Sequence, residues 1–496
     1  MKAFQGKNDT KDIFEMLPQA IAVLKKNIIT PFFSESLLQK YANEMPPLRA
    51  ELFSAGQIEE YAKKLAKSHA LITEHPSEQL LKRLAGNEAA LVDVHGLLTQ
   101  TVKDNQRITP AGEWLLDNFY LIEEQIYTGK KHLPKGYSKG LPQLKKGNST
   151  GLPRVYDIAV EIISHSDGRV DLDSLTGFIT AYQSVTPLKL GELWAIPIML
   201  RLALIENLRR LATQIAIDMT YKKLAEYWAD EMITTAENDP KNLVIVIADM
   251  SRSRPPMIGP FVAELTRKLQ GKGSALSLPL TWIEQHVSES GITSNELVGL
   301  ENQKQASDQV SISNSISSLR FLGANDWRDF VEATSIVEQI LLQDPHDIYS
   351  RMDFFTRDRY RHAVEKIAKG SYYSEQEIAS HAVKLAKENN ERNNSDARTK
   401  HVGYYLVDKG ALQLEKYAGM KLSFSDGLKR IFNRIPLITY IGSIFILTAL
   451  LSWPLLLQAH TEEIPQWKYI LTSILIIIGT SQVALRVGSA IALVDA

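Results

Sequence analysis

Apolar residues recur with helical spacing through most of this chain. Residues 58–69, 89–102 and 114–127 place apolar side chains every three to four positions, with charged residues between them. This is the pattern of helices that bury one face. Proline and glycine cluster between residues 130 and 150 and mark a loop. The pattern predicts an all-α fold. The β-branched segment 242–249 is also compatible with a strand, but its context favours a helix, and we expect the polar segment 288–315 to be partly extended.

One apolar run, residues 193–200, is directly followed by closely spaced charges. A membrane-spanning helix needs about 20 apolar residues, so this run is too short to span. It predicts a helix buried in a core, whose ionised side chains need partners there. The charged residues of this segment are Glu192, Arg201, Glu206, Arg209 and Arg210.

Two longer apolar runs lie near the C-terminus, at residues 435–457 and 469–494. Counted with their hydroxyl residues, both are long enough to span a bilayer. Basic residues precede the first run and an acidic loop separates the two, which by the positive-inside rule places the long N-terminal part in the cytoplasm. We expect a transmembrane hairpin. The alternative is a buried helical hairpin of a soluble protein.

The composition excludes several kinds of chemistry. The net charge is −1, which gives no broad attraction to nucleic acid, and there is no cysteine, which excludes disulfides and thiolate metal sites. No zinc-binding His-Glu-x-x-His motif or phosphate-binding glycine loop occurs. The Asp171-Leu172-Asp173 triplet matches the metal-binding pair of glycosyltransferases, but no apolar strand precedes it. We expect no cofactor or metal site in this chain.

A stripe of polar residues is the main candidate for chemistry. At 3.6 residues per turn, Glu113, Asp117, Tyr120 and Glu124 share one helix face. Three carboxylates and a phenol are able to bind a sugar or a cation, or to act in acid–base catalysis. The alternative, which we favour, is that these carboxylates pair with arginines of neighbouring helices. The charge-rich segment 351–362 is similarly expected to form an ion-paired helix.

Several long stretches resemble one protein family. They read WLLDNFYLIEEQIYTGKKHLPKG at 114–136, GLPRVYDIAVEIISH at 151–165, GELWAIPIMLRLALIENLRRL at 191–211 and YSRMDFFTRDRY at 349–360. In these stretches the chain resembles the N-terminal region of cyclic β-1,2-glucan synthases, which are large enzymes of the bacterial inner membrane. The resemblance runs over roughly residues 50 to 420.

The resemblance implies a role in glucan synthesis. Enzymes of the family elongate a protein-linked β-1,2-glucan from UDP-glucose and release it as a ring. The Gln-x-x-Arg-Trp motif of processive glycosyltransferases is absent from this chain. We therefore expect an N-terminal portion that ends after the first two membrane helices, a scaffold and membrane anchor at the inner membrane. Its expected partners are the membrane, the β-1,2-glucan chain and a glycosyltransferase domain in cis or in trans, but no nucleic acid.

The predicted organisation has three parts. Residues 1–100 form a helical segment, residues 101–430 a helical cytoplasmic domain, and residues 431–496 the transmembrane hairpin. Two other functions stay open at this point. One is a stand-alone helical enzyme acting on glycosides through carboxylates such as Glu113, Asp117 or Glu192. The other is a membrane-anchored interaction protein unrelated to glucan.

Overall fold

The computed structural model describes residues 45–72, 78–289, 291–391, 397–420, 436–461 and 466–494. Within these ranges the regular structure is helical, and extended pairing is limited to the isolated bridges Leu71–Leu144 and Gln143–Pro153. Of the predicted helical segment 1–100, residues 1–44 and 73–77 lie outside the described residues. The helices are α1 (Ala55–Ser68), α2 (Leu80–Lys103), α3 (Pro110–Asp117), α4 (Phe119–His132), α5 (Arg154–His165), α6 (Leu172–Gln183), α7 (Leu190–Asn238), α8 (Leu243–Ser253), α9 (Gly259–Leu269), α10 (Ser277–Ser288), α11 (Ser294–Ala324), α12 (Arg328–Thr334), α13 (Ile336–Leu341), α14 (Phe354–Lys369), α15 (Glu375–Glu391), α16 (Val402–Val407), α17 (Ala411–Ala418), α18 (Pro436–Thr461) and α19 (Gln466–Val494).

The chain divides into two compact units, Met1–His362 and Ala363–Ala496. The first unit is organised around α7, which has 49 residues and is therefore roughly 70 Å long. Its start is fixed by Glu192, whose Oε2 accepts from the backbone N–H of Lys189 at 3.0 Å. It ends before Pro240, which has no backbone N–H to continue the helix, and the side chain of Asp239 caps the turn that follows by accepting from the backbone N–H of Lys241.

Two apolar clusters follow one another along α7. The first contains α7 residues up to Met219 together with side chains of α1, α2, α5 and α6. The second begins at Tyr221 and includes side chains of α8, α9 and α10. Helix α11 lies along the same region and contributes Ile312 and Ile316 to the first cluster. Polar residues of α7 and α11 between the clusters are therefore placed close together.

Two local predictions were wrong for reasons that lie in tertiary contacts. The predicted helix 114–127 is broken at Asn118, whose Nδ2 donates to the carbonyl of Trp114 and whose Oδ1 accepts from Arg320 Nη2 at 2.6 Å. A side chain that hydrogen-bonds to the backbone in this way competes with the hydrogen bonds of the helix. The polar segment 288–315, expected to be partly extended, instead forms much of α11. Its buried serines find partners, and Ser315 Oγ accepts from Asn207 Nδ2 at 3.2 Å.

The second unit contains helices α15 to α19 and the last part of α14. Helices α18 and α19 coincide with the two apolar runs, and they are joined by a hydrogen bond of 2.7 Å between the hydroxyls of Ser452 and Thr480. No helix in the described ranges has the length and apolar character needed to cross a membrane. The predicted transmembrane hairpin is therefore wrong. The prediction counted hydroxyl residues such as Thr448 as part of the apolar runs.

Candidate functional site

The predicted carboxylate stripe lies at the surface. Glu113 and Asp117 are exposed on α3, whereas Tyr120 and Glu124 are exposed on α4, after the break between the two helices. The exposed face of α4 continues to Tyr127, seven residues beyond Tyr120, and these two tyrosines are 69% and 63% exposed, respectively. We call Tyr120, Glu124 and Tyr127 the tyrosine face. It offers two aromatic rings about 10 Å apart along the helix, with a carboxylate between them.

The other predicted residues are buried, and Glu206 lies at the centre of their interactions. Its carboxylate accepts from Arg83 Nε at 2.7 Å and from Arg210 Nη2, also at 2.7 Å, with Asn87 Nδ2 at 3.3 Å. Arg209 Nη2 lies 3.8 Å away. Burial alone would raise the pKa of Glu206, but the hydrogen bonds and charges of Arg83 and Arg210 outweigh it and hold that pKa at about 2. Glu206 is therefore ionised at neutral pH.

Glu192 and Arg201 have separate partners. Both oxygens of Glu192 accept from Arg154 at 2.6 Å, and both side chains are almost completely buried. Arg201 Nε donates to Gln125 Oε1 at 2.8 Å, and burial lowers the pKa of this arginine. These interactions hold α2, α4 and α5 against α7. They also give the buried charged side chains the partners that they need. Sequence reasoning missed Arg83 as a partner, because nothing in the pattern of α2 marks it.

A second buried ion network links α13 to α14. Arg361 is fully buried, and its Nη1 lies 2.9 Å from Glu332 Oε1 and 2.6 Å from Glu338 Oε2. The same Glu338 oxygen accepts from the Tyr349 hydroxyl at 2.6 Å. Arg357 Nη1 donates to the other oxygen of Glu338 at 3.1 Å. In the charged segment 351–362, Arg357 and Arg361 thus form ion pairs that hold α14 against α13.

A cavity of about 340 Å³ opens where α7, α9 and α11 meet. Its size is within the range of small-molecule sites. Leu300 at its rim is exposed, whereas Tyr221 and Glu301 are buried. No pattern in the sequence singled it out, because its polar residues come from helices far apart in the chain. The lining residues are Gln214, Ile217, Asp218, Tyr221, Ile258, Gly259, Pro260, Leu297, Leu300, Glu301 and Lys304.

Some of the polar groups that line this cavity already have hydrogen-bond partners. Asp218 accepts from Gln214 Nε2 at 2.9 Å and from Lys304 Nζ at 2.6 Å. Glu301 Oε1 accepts from Gln305 Nε2 at 2.6 Å. Burial, reinforced by the charge of Asp218, raises the pKa of Glu301. Within the described ranges, no group of three or more potential metal ligands is found.

The described residues define a helical protein with a charge-locked core, an exposed tyrosine face and a polar cavity where α7, α9 and α11 meet. No family model matches this chain. Over 366 residues, 73% of its length, the chain is 30% identical to the cyclic beta-(1,2)-glucan synthase NdvB of Rhizobium meliloti (strain 1021). The chain is a distant relative of the cyclic β-(1,2)-glucan synthases, and the resemblance predicted from the sequence is confirmed. The match spans 13% of the length of that enzyme.

Proposed function

We propose that this chain is a non-catalytic scaffold that holds β-1,2-glucan for a glucosyltransferase. The observation that carries the proposal is the 30% identity to a cyclic beta-(1,2)-glucan synthase over 366 residues. The absence of the Gln-x-x-Arg-Trp motif from the sequence supports a role in holding the glucan rather than in transferring glucose.

The state of the buried carboxylates supports a non-catalytic role for them. Glycoside hydrolysis needs two carboxyl groups on either side of the scissile bond, one of them protonated. Glu192 is almost fully covered and both its oxygens bind Arg154. Glu206 has a pKa of about 2 and so has no proton to give near neutral pH. Both residues brace the core and are closed to substrate.

The tyrosine face is the part of the predicted site that is open to a glucan. Aromatic rings cover the C–H faces of sugars, and the phenol and carboxylate groups exchange hydrogen bonds with sugar hydroxyls. Tyr120, Glu124 and Tyr127 provide both kinds of contact on one exposed helix face. Glu113 and Asp117 extend the acceptors onto α3. We assign these exposed residues to contact with the glucan, and we assign the buried arginine–carboxylate pairs to stabilising the fold.

Calorimetric titration of the full chain with linear β-1,2-glucan oligosaccharides tests this assignment. Replacing both tyrosines of the face (Tyr120→Ala with Tyr127→Ala) is expected to weaken binding at least tenfold, because each removes an aromatic contact. The matched control is Tyr372→Ala, a tyrosine that is 91% exposed in the other unit. Absence of glucan binding by the wild-type chain would refute the proposal. If Tyr372→Ala weakens glucan binding equally, the tyrosine face is not the glucan-binding surface.

The enzyme alternative is tested by Glu113→Gln and Asp117→Asn. Both residues are exposed, so neither change is expected to unfold the protein. The proposal predicts that neither variant alters the release of sugar from β-1,2-glucan, and that the wild-type chain releases none by itself. Release by the wild type that is lost in a folded variant would establish the enzyme instead.

A further inference from the structure

The cavity between α7, α9 and α11 contains a polar group without a partner. Tyr221 is 3% exposed, and its hydroxyl has no hydrogen-bond partner among the described residues. Leaving a buried hydroxyl unpaired costs about 1–3 kcal/mol. Tyr221 is one of the residues that line the cavity, which makes its hydroxyl a candidate partner for a ligand seated there.

A glycine leaves room for the Glu301 side chain, which also lines the cavity. A Cβ at Gly259 would lie 2.9 Å from Glu301 Oε2 and 3.2 Å from Glu301 Cβ. Any side chain there would therefore push Glu301 out of its position. Glu301 itself is 3% exposed and is held through its other oxygen by Gln305. The cavity thus has a fixed polar wall rather than an incidental gap between helices.

The chemistry of the lining selects the class of ligand. An anion would meet the carboxyl groups of Asp218 and Glu301, and Lys304 is already bonded to Asp218. A metal cation would have to displace that lysine and would find no third acidic or histidine ligand among the lining residues. The lining also contains aliphatic side chains, among them Ile217 and Pro260. A neutral ring with hydroxyls along its edge and C–H groups on its face offers contacts to both the polar and the aliphatic residues.

We propose that this cavity binds one pyranose unit of a β-1,2-glucan, with the hydroxyl of Tyr221 and the carboxyl groups of Asp218 and Glu301 holding its hydroxyls. This inference rests on the proposed function, because the choice of glucan among neutral sugars comes from it. The site is separate from the tyrosine face, which lies on α4. The cavity would hold a single unit, whereas the face would contact a longer stretch of chain.

The test is calorimetric titration of the full chain with the β-1,2-linked disaccharide of glucose. Tyr221→Phe is expected to weaken disaccharide binding about tenfold, because it removes one hydrogen bond and keeps the ring. The ligand-free variant is expected to be at least as stable as the wild type, since it no longer buries an unpaired hydroxyl. The matched control is Thr266→Val, which removes another buried hydroxyl that lacks a partner but does not line the cavity.

The outcomes separate this inference from the function on which it rests. If the wild type binds long glucan but Tyr221→Phe binds the disaccharide as tightly as the wild type, the cavity proposal is overturned and the scaffold proposal stands. The same conclusion follows if Thr266→Val weakens binding equally. If the wild type binds neither the disaccharide nor long glucan, the proposed function itself fails. If Tyr221→Phe weakens disaccharide binding, Thr266→Val does not, and long glucan still binds through the tyrosine face, both the cavity proposal and the scaffold proposal are supported.

Discussion

The buried anion Glu206 gives the sharpest prediction about stability. Glu206→Gln keeps the shape of the side chain and removes its charge. Arg83 and Arg210 would then lie beside a neutral amide, and Arg210 is 8% exposed. Breaking a buried ion pair by removing one partner typically costs about 3–5 kcal/mol, because the remaining charge stays buried without compensation. We expect the free energy of unfolding to fall by about 3 kcal/mol at neutral pH.

The depressed pKa of Glu206 gives an independent estimate of the same quantity. A fall from 4.5 to about 2 corresponds to about 3 kcal/mol at 1.36 kcal/mol per pKa unit. This is an upper value, because the side chain of Arg83 is 34% exposed and water weakens its contribution. Because the pKa in the folded state is the lower one, the stabilisation is fully present above pH 4.5. It is lost as the pH falls from 4.5 towards 2.

Urea unfolding followed at several pH values between 7 and 3 tests this reasoning. The wild type is expected to lose stability more steeply than Glu206→Gln below pH 4.5, so that the two curves converge in acid. The control is Asp249→Asn, which breaks an ion pair with Arg252 whose side chains are 51% and 76% exposed. Such a pair contributes at most about 1 kcal/mol. Parallel pH curves for the wild type and Glu206→Gln, or a loss no larger than that of the control, would refute the argument.

Three further changes follow from the structure. Glu338→Gln removes one of the two anions that Arg357 and Arg361 share, the other being Glu332, and is expected to lower the free energy of unfolding by about 1–3 kcal/mol, measured by urea unfolding. Gly259→Ala forces Glu301 aside and should lower the stability by about 1–3 kcal/mol in thermal unfolding. Its control is Gly299→Ala, which places no atom within 4 Å of the new Cβ and should be neutral or stabilising. A larger loss of stability in Gly299→Ala than in Gly259→Ala would contradict the packing argument. Thr293→Ala removes the capping box of α11 and should cost about 1 kcal/mol, visible as faster amide exchange in its first turn.

Local patterns predicted which residues form helices, and tertiary contacts decided where those helices end. The β-branched segment at 242–249, which is equally compatible with a strand, forms most of α8, as expected from its helical surroundings. The break at Asn118 was not predictable in this way, because its partner Arg320 is 202 residues away in the chain. The apolar runs near the C-terminus correctly placed α18 and α19. Counting apolar length alone, however, led to the wrong prediction of a membrane-spanning hairpin.

The sequence by itself determined that the chain is helical, that the charges of segment 191–211 need partners, and that the chain is related to the glucan synthases. Those properties depend on helical periodicity, on the high free energy of unpaired buried charge and on long matching stretches, all of which are readable along the chain. Only the tertiary structure decided that Glu206 pairs with Arg83, 123 residues earlier, and that Asp218 meets Lys304, 86 residues later. The cavity arises from this long-range packing, because neighbouring residues on one helix face outward in different directions and cannot enclose a ligand alone.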